Sequence, residues 1–256
     1  MNTKIADHIA WVRAYVEKKR KQEEGDVSPI DLKLQHTLRV LSHAQNIVRK
    51  ECFDEKTERC ALLAALYHDI GRFEQYLRYH TFKDKESVNH GELGVEILSQ
   101  EGCLQNEDAL TREIVIQAVG LHNKYALPET LSENVLLVTH VVRDADKLDI
   151  VRVIDSHLRS EKPYNPTVVL SLPDDPDLSS KEVIHAALTN SVASYGALKS
   201  VNDFRLLLAT WINDMNFAAS RYAFIHQGHA LAIVEGLPED GVYAQARRYM
   251  IARLKV

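Results

Sequence analysis

Apolar residues recur along most of this chain at steps of three and four, and alternation with period two is scarce, so the pattern predicts an all-α protein. In the stretch Met1 to Glu24, Ile5, Ile9, Val12 and Val16 fall on one helical face, before a basic run at Lys18 to Lys21 and a break at Gly25 to Pro29. Asp31 is placed to cap a second helix, Leu32 to about Lys50, on which Leu34, Leu38, Leu41, Ala44 and Val48 form an apolar arc. His36, Arg39 and His43 follow the margin of that arc. A third helix, starting near Asp54, becomes apolar on every side over Cys60 to Leu66, the signature of a helix enclosed by others. It carries His68 and Asp69 into the interior, and Gly71 would then permit a sharp turn.

Further along, Arg72 to Asp84 reads as a short aromatic helix and loop, and Ser87 as the cap of a helix with His90, Leu93, Gly94 and Ile97 on one face. Gly91 and Gly94 on that helix would admit a neighbouring backbone. Helices are predicted over about Glu107 to Leu121, ending at His122, and over Asn134 to about Leu158, whose first two turns are again apolar all round. Pro163, Pro166, Pro173 and Pro176 mark Ser160 to Ser180 as a long irregular excursion, either a lid or a surface insertion, with room for a short hairpin at Val168 to Leu170. Three helices complete the chain, at Lys181 to Leu198, Asp203 to His226 and Glu239 to Leu254. The whole reads as a single all-α domain of 256 residues, with a core over about 30–155, an insertion at 160–180 and a C-terminal helical extension at 181–256.

Composition narrows the function classes. The longest apolar runs fall well short of the roughly 20 residues that span a bilayer, and the first residues lack the basic head and apolar core of a secretory signal. A cytoplasmic location is expected. A formal charge of -5 disfavours an extended nucleic-acid surface. Cys52, Cys60 and Cys103 have no CxxC spacing, so they suit packing better than a disulfide framework or a zinc ribbon. What stands out is 12 histidines.

Asp144 lies three residues after Val141 and four before Leu148, in line with core positions. A carboxylate buried there must be paired or bound to a cation. A salt bridge to Lys147 or to a distant Arg meets that requirement as well as a metal does. The combination is more informative: His36, His68 with Asp69, His90 and His122 each sit at the edge of an apolar stripe on a different helix, and Asp144 adds a fifth helix. Imidazoles mixed with carboxylates suit divalent transition ions such as Fe, Mn, Co or Ni, with Zn or Mg as alternatives, and the lack of a Cys ligand argues against structural zinc.

In order along the chain, His36, His68-Asp69 and Asp144 resemble the motif of the HD-domain superfamily of metal-dependent phosphohydrolases, a His, a His-Asp pair and a distant Asp on an all-α fold. The phrases His68-Asp69-Ile70-Gly71-Arg72-Phe73 and Arg143-Asp144-Ala145-Asp146-Lys147-Leu148-Asp149 are similar to forms common in that superfamily. His90 and His122 match the extra histidines of its two-metal members. The resemblance spans about His36 to Asp149 and implies an HD-domain helical bundle with additional N- and C-terminal helices. It also implies one metal on His36, His68, Asp69 and Asp144, and a second on His90 and His122 with Asp69 as the bridge. A metal-activated hydroxide would then cleave a small phosphate ester, such as a nucleotide.

Arg39, Arg72 and Lys147 are the candidates for holding phosphate oxygens, with Asp69, Arg72 and Lys147 acting in catalysis. The segment Gly-Tyr-Pro that marks the cyclic-dinucleotide branch is missing, which disfavours that substrate. Some proteins of this fold use the same ligand types for a mixed-valent di-iron centre that oxidises a polyol or phosphonate, and others sense nucleotides without turnover; both are alternatives here. His140, one turn before Asp144, is an alternative ligand, whereas Asp146 and Asp149 read as solvating or ligand-orienting residues. A homo-oligomer is compatible with all of this.

Overall fold

A computed structural model describes residues 4–166 and 168–255, and among them the secondary structure is helical, with no strand. The fold is all-α. It divides into two compact units, Met1–Asp146 and Lys147–Val256. No helix among the described residues is long and apolar enough to cross a membrane.

The first unit opens with α1 (Ile5–Gln22) and α2 (Ser28–Lys50); the expected helical start at Met1 to Thr3 lies outside the described residues. Helix α2 begins before Asp31 because Pro29 sits in its first turn, where a missing N–H costs nothing and a fixed φ suits the helix. Asp54 caps α3 (Glu55–Tyr67) by accepting the backbone N–H groups of Lys56 and Thr57. Two residues later α4 (Ile70–Tyr79) begins. Helix α5 (His90–Glu101) is capped by Asn89, which accepts from the Glu92 N–H, in place of the expected Ser87. Ser87 is used within the loop, where its hydroxyl donates to the Lys83 carbonyl. Then come α6 (Ala109–Leu121), capped by Asp108, and α7 (Glu133–Leu158), within which the boundary between the units falls.

Every residue from Cys60 to Tyr67 on α3 is buried. Removing one such Leu or Tyr side chain from water contributes roughly 1.5–3 kcal/mol, so the all-apolar stretch makes α3 the axis of the unit. Helices α1, α2 and α6 pack on it, and α5 packs on α4 and α6. His8, unassigned in the sequence, is buried on α1 between the Tyr67 hydroxyl (2.8 Å) and Glu107 (3.2 Å), and Glu107 is held in turn by both Nε and an Nη of Arg59.

In the second unit, α9 (Val201–Thr210) packs on α8 (Lys181–Leu188), α11 (His229–Glu235) and α12 (Ala244–Leu254), and α11 packs on α10 (Ala218–His226). Leu148, Val151 and Ile154 of α7 join this core. The predicted 181–198 helix stops at Leu188, where Asn190 turns left-handed (φ 56°) and the Ser191 N–H returns to the Ala186 carbonyl. The predicted 203–226 helix is interrupted by a 3-10 turn at Trp211–Asp214, after which Met215 takes an extended backbone (φ -80°, ψ 126°). The last helix starts at Ala244 and not at Glu239. No hairpin forms at Val168 to Leu170, since Leu170 and Ser171 both take positive φ (59° each), which no paired strand allows.

Candidate metal centre

The apolar α3 ends by placing His68 as its C-cap and Asp69 as the residue that opens α4. Asp69 makes no side-chain cap bond, so both carboxylate oxygens are left for other partners. His68 is fully buried, and Asp69, His36, His90 and His122 are each at most 6 % exposed. Gly71 brings α5 to this joint. It is helical and makes no turn of its own; its importance is space, because a Cβ there would lie 2.2 Å from the His90 carbonyl oxygen and 2.8 Å from the Gly94 nitrogen.

The two oxygens of Asp69 face different partners. Oδ2 lies 3.5 Å from His36 Nε2 and 3.6 Å from His68 Nε2, whereas Oδ1 lies 3.5 Å from His90 Nε2 and 4.0 Å from His122 Nε2. Among the described residues, donor atoms within 4.8 Å of one another accordingly form two groups, His36–His68–Asp69 and Asp69–His90–His122.

Hydrogen bonds behind the rings decide which nitrogens face inward with lone pairs. His68 Nδ1 donates to the Ala65 carbonyl (2.8 Å), His122 Nδ1 to the Val119 carbonyl (2.7 Å) and His90 Nδ1 to Asp84 (2.7 Å). In each ring the proton is therefore on Nδ1, and Nε2 carries a bare lone pair. Two consequences favour a cation. His68 Nε2 is buried with no hydrogen-bond partner, and His90 Nε2 stands 3.0 Å from His122 Nε2, lone pair toward lone pair.

Protonation does not relieve this crowding. Burial lowers the pKa of His68, and burial with the nearby Arg72 lowers that of His90. His122 is pushed down to about 3 by burial and then by His90 and His68. Asp69 is held well below the usual carboxylate range: burial alone would raise it, but Lys33, His68, Arg72 and His90 outweigh that penalty. Neutral imidazoles around an ionised carboxylate are the donor set of a divalent transition ion, and these residues could hold one ion on each side of Asp69.

On α7 the acid that reaches the cluster is Asp146. Its Oδ1 lies 3.0 Å from His36 Nε2 and 3.9 Å from His68 Nε2. Asp144, the ligand expected from sequence, is fully buried, and neither it, Asp146 nor His140 belongs to the two donor groups; the approach to His36 and His68 assigns the α7 position to Asp146 in place of Asp144. Two residues on a helix turn by about 200°, so Asp144 and Asp146 point to nearly opposite sides of α7. The alignment of Asp144 with core positions reports burial and not direction, and its place among the ligands is what the family resemblance implies.

The three cation candidates part company. Arg72 lies in the cluster, its Nε 3.5 Å from Asp69 Oδ1 and one Nη bonded to Asp84 (2.8 Å) and Gln75 (2.8 Å). Arg39 is exposed. Lys147 belongs to the second unit, where its ammonium pairs with the carboxylate of Asp214.

Two residues were missed from sequence. Lys33 donates to Asp69 Oδ2 at 2.8 Å, and the available signal was its position one turn before His36. Asp84 connects His90 to Arg72 from an irregular stretch in which no periodicity points to it, and it also accepts from Gln75 (3.0 Å) and Asn123 (3.2 Å).

Residues 34–151 match the family model of the HD domain. No curated protein and no solved structure matches the chain.

Proposed function

This chain is a member of the HD-domain superfamily, whose domains bind divalent metals and are commonly hydrolases, and from that premise we propose that it is a phosphohydrolase acting on a small phosphate ester such as a nucleotide. The observation that carries this reading is the division of Asp69, with Oδ2 toward His36 and His68 and Oδ1 toward His90 and His122. A carboxylate shared in this way is what two neighbouring ions need as a bridge. His36, His68 and Asp146 complete one half-site, and His90 and His122 the other. When bound, such ions supply a hydroxide nucleophile near neutral pH and neutralise charge on phosphoryl oxygens.

The chain's own groups do the positioning. Asp84 fixes the tautomer of His90 and anchors Arg72 at the same time, so a ligand and a cation keep a constant relation to each other. Arg72, tied down on one Nη, holds its buried Nε beside Asp69 without a hydrogen-bond partner, as a donor for an incoming phosphoryl oxygen.

The test is release of phosphate from a generic aryl phosphate by the chain loaded with manganese, with a chelator as control. Turnover that the chelator stops and that Asp69→Ala abolishes together with bound metal is the expected result. Iron-dependent oxygen consumption on adding a polyol or a phosphonate, with no phosphate released, would replace this reading with the oxygenase one. Metal binding with neither activity, but with tight nucleotide binding, would favour the sensor.

A further inference from the structure

The first half-site already contains a cation. Lys33 Nζ lies 2.8 Å from Asp69 Oδ2, the same oxygen that faces His36 and His68. Lys33 stands three residues before His36 on α2, so both side chains leave the helix on one face. Its side chain is 19 % exposed against 4 % for Asp69, which puts the ammonium on the solvent side of the carboxylate. A flexible four-carbon stem lets it move while its backbone stays fixed.

From the same position the ammonium also borders an aromatic ring. Lys33 Nζ is 5.5 Å from the centre of the Phe82 ring, and Arg72 Cζ is 5.9 Å from the centre of the same ring. Phe82 is thus flanked by two cations, both of which also approach Asp69, one on each oxygen.

We propose, building on the metal-centre reading above, that Lys33 is the resident counter-ion of Asp69 Oδ2, that it must give up this oxygen for a divalent ion to be held there, and that it then binds the anionic group of the substrate together with Arg72. Charge supplies the reason for each part. In the metal-free chain a buried carboxylate is costly without a cation, and Lys33 meets that need. An ammonium and a divalent ion on one oxygen repel each other, so Lys33 leaves Asp69 as the half-site fills. Once released, it stays near Phe82 and Arg72, and a pair of cations beside a metal centre suits an anion of two or more charges, such as a phosphate monoester.

The test is calorimetric titration of manganese into the metal-free wild type, Lys33→Met and Lys33→Arg, followed by titration of inorganic phosphate into each manganese-loaded protein. Loss of the competing ammonium should tighten manganese binding by Lys33→Met about tenfold, and loss of an anion contact should weaken its phosphate binding about tenfold. Lys33→Arg should stay near wild type in both. These shifts have opposite signs, whereas a lysine that only supports the local structure would weaken both when removed. Equal or weaker manganese binding by Lys33→Met overturns the counter-ion role, and unchanged phosphate affinity overturns the substrate role. If neither wild type nor Lys33→Met takes up manganese, the metal-centre reading itself falls. Should Lys33→Met fail to fold, Lys33→Gln gives the same readouts with a side chain that still offers Asp69 a hydrogen bond.

Discussion

Replacing Gly71 by alanine adds one methyl group at the contact that joins α4 to α5. That methyl would stand 2.2 Å from the His90 carbonyl oxygen and 2.8 Å from the Gly94 nitrogen, separations that real Cβ atoms essentially never show. Both partners are backbone of the first turns of α5, so no side-chain rotation gives relief and α5 must move away by about 1 Å to restore ordinary contact distances. Overpacking of this kind costs about 1–3 kcal/mol and sometimes more, while alanine regains about 1 kcal/mol of helix propensity over glycine. Because the obstruction is backbone, the upper part of that range applies, and the net loss is about 2 kcal/mol.

For a chain of this size that lowers the midpoint of thermal unfolding by roughly 4–8 °C. The same movement carries His90 away from Asp69 Oδ1, now 3.5 Å distant, so manganese binding should weaken at the half-site of His90 and His122. Gly120→Ala is the control, since its Cβ would meet only the Val95 Cγ2 atom at 3.1 Å, and a side chain can give way. Urea and thermal unfolding of both variants without metal, with manganese titration alongside, decide the matter. If Gly71→Ala proves as stable as Gly120→Ala and binds manganese as wild type does, the close approach of α4 and α5 is not what assembles the centre.

Other predictions follow from the same cluster. Asp146→Asn should weaken manganese binding at the first half-site at least tenfold with the fold intact, whereas Asp144→Asn should cost roughly 1–3 kcal/mol of stability and leave metal stoichiometry unchanged; the reverse outcome would restore Asp144 as the ligand. Asp84→Asn removes the charge behind His90 Nδ1 and should lower metal affinity by about 10–100-fold, a change that nitrogen NMR of the His90 ring would follow directly. In the metal-free chain His122 stays neutral down to about 3, although its unperturbed value is 6.5. The unfolded chain therefore takes up this proton first, and stability is complete above the unfolded value and declines as pH falls through the window between the two. At pH 5 the loss from His122 alone is about 2 kcal/mol. Urea titrations in chelator at pH 7 and pH 5 measure it, and an unchanged pH slope in His122→Asn would contradict the assignment.

Much of the fold and of the site was legible because one period governs both. Apolar positions three and four apart mark α2, α5 and α6, an all-apolar run marks α3, and the histidines that meet in the cluster stand at the edges or ends of those segments. Asp146 shows where that reasoning stops. On α7, whose first two turns are apolar all round, hydrophobic pattern does not distinguish one inward direction from another, and a two-residue choice between Asp144 and Asp146 reverses the side chain. Lys33 has no distinctive sequence signal, because a lysine near an apolar margin has the pattern of a solvated stem. Asp84 and the breaks at Leu188 and Trp211 depend on loop hydrogen bonds between residues that no local periodicity relates.

The bonds behind His68, His90 and His122 are in place before any ion arrives. Two of the three acceptors are main-chain carbonyls only three residues earlier in sequence, Ala65 for His68 and Val119 for His122. The tautomers are thus set by helical backbone when the chain folds, and filling the centre need not reorganise them. A preorganised centre of this kind should exchange ions reversibly: after chelation the rings keep their orientation, and a spectroscopically silent ion can be replaced by cobalt or manganese without refolding. The order of substitution among ions would then report intrinsic coordination preference, separated from any cost of assembling the ligands.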